Sequence, residues 1–153
     1  MLRKSTNRLR LCTALIICNI LFIWGNSLLP GEISGAISDW VRRVLLPFLP
    51  EGSANAHSAG GVLRKLGHFT EFSCLGLSLS WLVRMKLPHT WQHICLPLLT
   101  GIAVASADET IQIFVPDRGP AIKDVGIDTL GVILGIVIIS LIQHCKMKKM
   151  EEN

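Results

Sequence analysis

The chain has 153 residues, of which 50% are hydrophobic and only 17% charged, and its mean hydropathy is +0.47. That is more apolar content than a soluble domain of this size needs to fill one core, so the composition excludes an ordinary globular enzyme and indicates a small integral membrane protein. The net charge of +4 comes with no aromatic-spaced basic stripe, which argues against a nucleic-acid partner and leaves the charge as topological information.

A basic segment, residues 1–10 with Arg3, Lys4, Arg8 and Arg10, precedes the first apolar run, Leu11 to Leu29. Such a start also opens secretory signals, and Ser34-Gly35-Ala36 is the nearest match to a cleavage site. It lies several residues beyond the run, however, and the run is long enough to span, so retention as a helix is expected. A long outer loop follows, Pro30 to Arg64. Within it Ile33, Ile37, Trp40, Val41, Val44 and Leu45 recur at helical spacing while Ser34, Ser38, Asp39 and Arg42 fall elsewhere, the pattern of a helix lying in the membrane interface. The alternative is a lid that packs on the bundle. Pro47 and Pro50 end this helix, and Glu51 to Gly61, rich in Gly, Ala and Ser, reads as a flexible connection.

Three more apolar runs follow, Leu66 to Val83, Ile94 to Ala107 and Val125 to Ile142. A bilayer asks for about 20 residues per helix, so the first, second and fourth runs fit, and the third spans only if Trp91 and Ile111 are included. The expectation is an all-α, polytopic membrane protein with about four transmembrane helices and an interfacial helix. The membrane domain covers residues 11–142, and residues 143–153 form a charged tail.

Lys and Arg in short loops resist translocation. With four spans, Arg3, Lys4, Arg8, Arg10, Arg84, Lys86, Lys146, Lys148 and Lys149 share one side, against Arg42, Arg43, Arg64, Lys65, Arg118 and Lys123 on the other. This places both termini in the cytoplasm, with basic ends where anionic headgroups lie. Cys12, Cys18, Cys74 and Cys95 sit in apolar runs and Cys145 at the cytoplasmic end, so no outer disulfide is expected.

All acidic residues except Glu151 and Glu152 then fall on the outer side. Carboxylates at a membrane edge are costly to desolvate, which marks Glu71, Asp108, Glu109, Asp124 and Asp128 as a polar site. Lys65, His68 and Glu71 are spaced by three and share a helix face. Asp108, Glu109 and Gln112 lie within one and a half turns. The loop Phe114 to Pro120, stiffened by its prolines, brings Arg118 into the same layer. Asp124, Asp128, Gly131 and Gly135 form one face of the last helix, carboxylates outermost and glycines deeper.

These residues admit more than one chemistry. His68, Glu71, Asp108 and Glu109 are the catalytic candidates, with His68 and Glu71 as acid and base, although an interhelical hydrogen-bond pair fits them too. Lys65, Gln112, Arg118, Asp124 and Asp128 are the substrate-binding candidates. Arg118 could clamp a phosphate or carboxylate, or only neutralise its acidic neighbours. A divalent metal on His68, Glu71, Asp108 and Glu109 is conceivable, but one histidine and no second matching motif assign no metal ligands, and the cofactor is left unassigned. Gly131 and Gly135 suit close helix packing or a homodimer contact. Ser73 and Cys74, inside an apolar run with no defined base, do not support nucleophilic catalysis.

Three ordered blocks carry a resemblance: Lys65-x-x-His68-Phe69-x-Glu71-Phe72-x-x-Leu75-Gly76, then Asp108-Glu109-x-x-Gln112-x-Phe114-x-Pro116-x-Arg118, then Asp124-x-x-x-Asp128-x-x-Gly131-x-x-x-Gly135. In these the chain resembles the VanZ family of bacterial membrane proteins, named for an accessory protein in glycopeptide resistance associated with teicoplanin. The chain departs from the family's usual Gly at Asp117, frequent Ser at Ala121 and Asn at Asp128. The resemblance implies a small multi-pass fold and a cell-envelope role, with teicoplanin tolerance as the associated phenotype, but no settled reaction. The favoured expectation is a protein that binds or modifies an anionic, lipid-linked envelope component, with membrane lipids, a cell-wall precursor or a glycopeptide as partners. An intramembrane hydrolase or transferase using Glu71 or Asp108 with His68 and Arg118, and a noncatalytic scaffold, are the alternatives.

Overall fold

Each apolar run of the sequence is the middle of a longer helix. The computed structural model describes residues 2–45, 56–119 and 121–151, and its elements are α1 (Leu2–Ser27), α2 (Gly31–Leu45), α3 (Ala56–Lys86), α4 (Gln92–Ile113) and α5 (Ile122–Glu151). The connection expected from Glu51 to Gly61 is helical from Ala56 onward, because its Ala and Ser residues continue into the helix-forming segment after it. Residues 46–55, with Pro47 and Pro50, lie outside the described residues, as does Pro120.

Among the described residues three helices are long and apolar enough to cross a membrane: α1 over Thr6–Ser27, α4 over Gln92–Ile113 and α5 over Ile122–Met150. The third run therefore has the reach that the sequence left in doubt, since its helix extends past Ile111. The second run falls short by composition, because α3 carries His68, Glu71, Ser73, Ser78 and Ser80 among its leucines. The outer surface of the helices is apolar: Leu11, Leu15, Ile17, Leu21 and Phe22 of α1, Leu99 of α4 and Leu141 of α5 are each more than half exposed, as in a chain whose solvent is lipid. This is an all-α membrane protein.

Cross-helix contacts fix the directions of the chain. Asn26 meets Glu71 and Cys12 meets the Ser78 carbonyl, so α1 and α3 are antiparallel. Trp24 Nε1 donates to the Val104 carbonyl and Gln112 to Ser27 Oγ, so α1 and α4 are parallel. Gly131 backs onto Phe69 and Gly135 onto Ser73, so α3 and α5 run the same way. The bundle is thus up, down, up, down, and both chain ends emerge at one end of it. At the other end lie the finish of α1, the start of α3, the finish of α4 and the start of α5.

Helix α3 is the centre, packed against α1, α2, α4 and α5, and most extensively against α5. Phe72, Leu75, Ile23 and Val132 are fully buried between them. The α3–α5 approach depends on glycine. A Cβ on Gly76, Gly131 or Gly135 would come within 3.0 Å of backbone atoms on the facing helix, at Val132, Phe69, and Ser73 and Leu77 respectively. At the far end of the same seam Arg84 donates to Gln143 Oε1 at 3.0 Å and to Ser140 Oγ at 2.6 Å.

Helix α2 packs against α3. Ser34 and Ser38 are buried toward the bundle, while Ile33, Ile37, Trp40 and Val44 are about half exposed or more. The Ser38 hydroxyl can sit inward because it donates to the Ser34 carbonyl at 3.0 Å.

Candidate functional site

Directions of the helices bring the predicted polar residues into one layer at the end away from the termini. Four features arise from helix ends, where backbone groups lack intrahelical partners. Where the chain leaves α1 at Asn26 to Leu29, Arg118 donates to two carbonyls, Nε to the Leu29 oxygen and Nη2 to the Asn26 oxygen, each at 3.0 Å, the latter oxygen also accepting the Leu29 amide at 3.2 Å. A cation there also suits the negative end of the helix dipole. At the start of α5 the converse occurs, with Glu109 Oε2 accepting the Ala121 amide at 2.8 Å. The loop between α4 and α5 also ties to the start of α2, where the Gly31 amide donates to the Pro116 oxygen at 3.1 Å. A side chain on Gly31 would strike the Asp117 backbone, and Asp117 itself has φ 58. That left-handed conformation explains why glycine suits position 117, and Asp is among the few other residues that tolerate it.

Arg118 is therefore a clasp between the loop and α1. Among the described residues no carboxylate lies within ion-pair distance of it, and its Nη1 has no hydrogen-bond partner. Partial burial and the nearby Arg64 charge push its pKa below the ordinary value, opposed by Asp108 and Glu109. The guanidinium starts from so high a value that it remains a cation.

Deeper in the layer, Gln112 Nε2 donates to Asp108 Oδ2 at 3.0 Å, to Ser27 Oγ at 3.2 Å and to Glu109 Oε1 at 3.4 Å, joining α4 to α1. Glu71 Oε1 accepts from Asn26 at 3.0 Å, whereas its Oε2 has no partner among the described residues. His68 Nδ1 stands 3.8 Å from Asp108 Oδ2, and Lys65 Nζ stands 3.4 Å from Asp124 Oδ1. Asp108 and Asp128 are 0% and 1% exposed.

All nine candidate residues thus belong to one end of the bundle, but not to one function. Glu109 and Arg118 serve helix ends, Lys65 and Asp124 pair near the rim, and His68, Glu71, Asp108 and Asp128 keep unpartnered atoms inside. Reading the sequence missed Asn26 and Ser27, whose only signal was a pair of polar residues closing the first apolar run. It also took Arg84 as a topological charge, although Ser140 and Gln143, three apart on α5, present its acceptors.

Two hollows adjoin the layer. One, of about 10 Å³, lies among α3, α4 and α5 and is lined by His68, Glu109, Gln112, Asp124 and Asp128 together with Arg64 and Lys65. The other is a groove of about 740 Å³ between α1, α2 and α3, walled by Phe22, Leu29, Ile37, Val41, Leu63 and Leu66, with Asn26, Arg64, His68 and Glu71 also on its surface.

An apolar up-and-down helix bundle with a polar, mostly acidic layer at one end defines a class of small membrane proteins. Residues 11–143 match the family model described as VanZ/LLP1, and the chain belongs to that family. No curated protein and no solved structure matches it significantly.

Proposed function

We propose that this VanZ/LLP1 envelope protein holds an anionic, lipid-linked component, its chain in the α1–α2–α3 groove and its headgroup against the polar layer. The groove carries this reading: it is of ligand size, mainly apolar, and ends at Arg64, His68 and Glu71. Arg64 and the half-exposed Lys65 supply the positive charge for a phosphate, a role that Arg118 leaves to them by serving α1. The outward apolar face of α2 supports its placement in the membrane interface beside the groove mouth.

Four crossings fit the chain directions. If α1, α4 and α5 cross, α1 and α4 run the same way, so the chain must return between them, and α3 is the helix that runs back. Its polarity is compatible with a span because α3 is surrounded by the other four helices. The basic flanks favour cytoplasmic termini and an outward polar layer. A cysteine at Gly119, in a background without native cysteines, should react with an impermeant thiol reagent in intact cells, and labelling only after lysis would reverse the orientation.

The lipid reading is tested by mass spectrometry of lipids retained by the purified protein. Wild type should retain an anionic lipid, and Leu66→Trp, which fills the groove, and Arg64→Glu, which inverts its charge, should each retain about a tenth as much or less. Identical retention by all three proteins would remove the groove from the mechanism. Catalysis is the second reading, favoured by the unpartnered Glu71 Oε2 and His68 Nδ1 beside the groove. Glu71→Asp separates the two: it preserves charge but withdraws the carboxylate, so turnover of the lipid falls while retention persists. Teicoplanin tolerance of cells carrying each variant connects either reading to phenotype.

A further inference from the structure

Apart from Glu71 Oε2 and Arg118 Nη1, the polar layer gathers its unpartnered buried charges, among the described residues, mainly in one place. Glu109 holds the amide of Ala121, Asp124 faces Lys65, and Arg118 rests on α1. Between α3, α4 and α5, by contrast, both oxygens of Asp128, Oδ1 of Asp108 and Nδ1 of His68 have no hydrogen-bond partner among the described residues. The two aspartates are almost wholly buried, so bulk water does not compensate them. Two buried carboxylates, Asp128 with no donor and Asp108 with Gln112 on one oxygen only, are costly unless a cation joins them.

One ligand atom from each of His68, Asp108 and Asp128 lies within 4.8 Å of the others. Three different helices supply them, an arrangement by which helical bundles build inward metal sites. Donors on one ion at about 2.1 Å stand roughly 3.4 Å apart, so the side chains need only draw together, without movement of the helices. The adjoining cavity of about 10 Å³, which His68 and Asp128 line and Asp108 does not, limits what can enter beside the trio. It is close to one water-sized sphere, which suits a bare ion and is too small for a phosphate group. An imidazole with two carboxylates favours a first-row transition ion over calcium or magnesium, which prefer all-oxygen sets.

We propose that His68, Asp108 and Asp128 bind one divalent transition-metal ion at the meeting of α3, α4 and α5. The ion neutralises the buried carboxylates and locks the three helices together. With three protein ligands it keeps a coordination position for a further oxygen. The site stands independently of what occupies the groove.

The test uses the full-length protein, its tag removed and its metals stripped by chelator, in lipid nanodiscs. Mn²⁺, and separately Zn²⁺, is titrated, with Mn²⁺ followed by electron paramagnetic resonance and both by thermal unfolding. Wild type should bind one Mn²⁺ per chain and melt at a higher temperature with either ion. Asp128→Asn and His68→Gln should weaken binding about tenfold or more, while Asp124→Asn, beside the cavity but outside the trio, should stay within about threefold of wild type. Should Asp128→Asn not fold, His68→Gln decides. Failure of wild type to take up either ion stoichiometrically overturns the proposal. So does binding by a folded Asp128→Asn or His68→Gln that equals wild type, or a loss in Asp124→Asn as large as theirs.

Discussion

Helices α3 and α5 meet in two regions built on opposite principles. Along the seam through Gly76, Gly131 and Gly135 the backbones approach so closely that a Cβ at any of the three would strike the facing helix. One to two turns closer to the polar end, the same helices hold apart His68 and Asp128, whose atoms lack partners. The seam is where the two helices gain dispersion contact, and in lipid, without a hydrophobic drive between helices, small residues are how such contact is achieved. The polar end gives up that packing. The difference teaches that the rigid approach lower down is what can hold costly groups in place above it.

The sharpest way to break this contrast is to part the seam. Gly135→Leu should cost about 3 kcal/mol or more, because its side chain meets the backbone of Ser73 and Leu77, which cannot rotate away. Gly25→Leu is the control, since a Cβ there meets nothing within 4 Å. Thermal unfolding in detergent should show a large loss for the first and little for the second, and equal melting would mean that the seam is not close-packed.

A smaller effect is expected where the polar end is tied to α1. Arg118→Ala removes two charge-assisted hydrogen bonds to the Asn26 and Leu29 carbonyls and should cost about 2 kcal/mol. Arg43→Ala, at an exposed position, should stay within about 0.5 kcal/mol. Arg118→Lys should recover only part of the loss, because an ammonium cannot reproduce the two-pronged geometry. Full recovery would instead assign Arg118 the general role of a nearby positive charge.

The smallest effect concerns the loop that carries this clasp. Asp117→Gly relieves the left-handed strain at φ 58 but adds freedom to the unfolded chain, so the net change should lie within about 1 kcal/mol of zero. Asp117→Val, which cannot adopt that conformation easily, should be clearly worse in the same melting assay. Equal stability of the two variants would locate the restraint on this loop elsewhere.

Much of the architecture was legible in the sequence, because apolar length and periodicity are properties of one helix read alone. They supplied the all-α membrane class, the positions of the long helices and the face shared by Asp124, Asp128, Gly131 and Gly135, while the family came from the match over residues 11–143. Spacing within a helix also gathered the polar residues at one end. It could not assign their partners, because a partner comes from another helix. That Arg118 and Glu109 hold helix ends, and that Asn26, closing an apolar run, supports Glu71, came from neighbouring elements. The exposure of Ile33, Trp40 and Val44 on α2 likewise depended on the packing of α2 against α3, with Ser34 and Ser38 buried. Tertiary structure alone decided which charges are satisfied and which are not, because burial and hydrogen-bond distance are set where α3, α4 and α5 converge and not along any one of them.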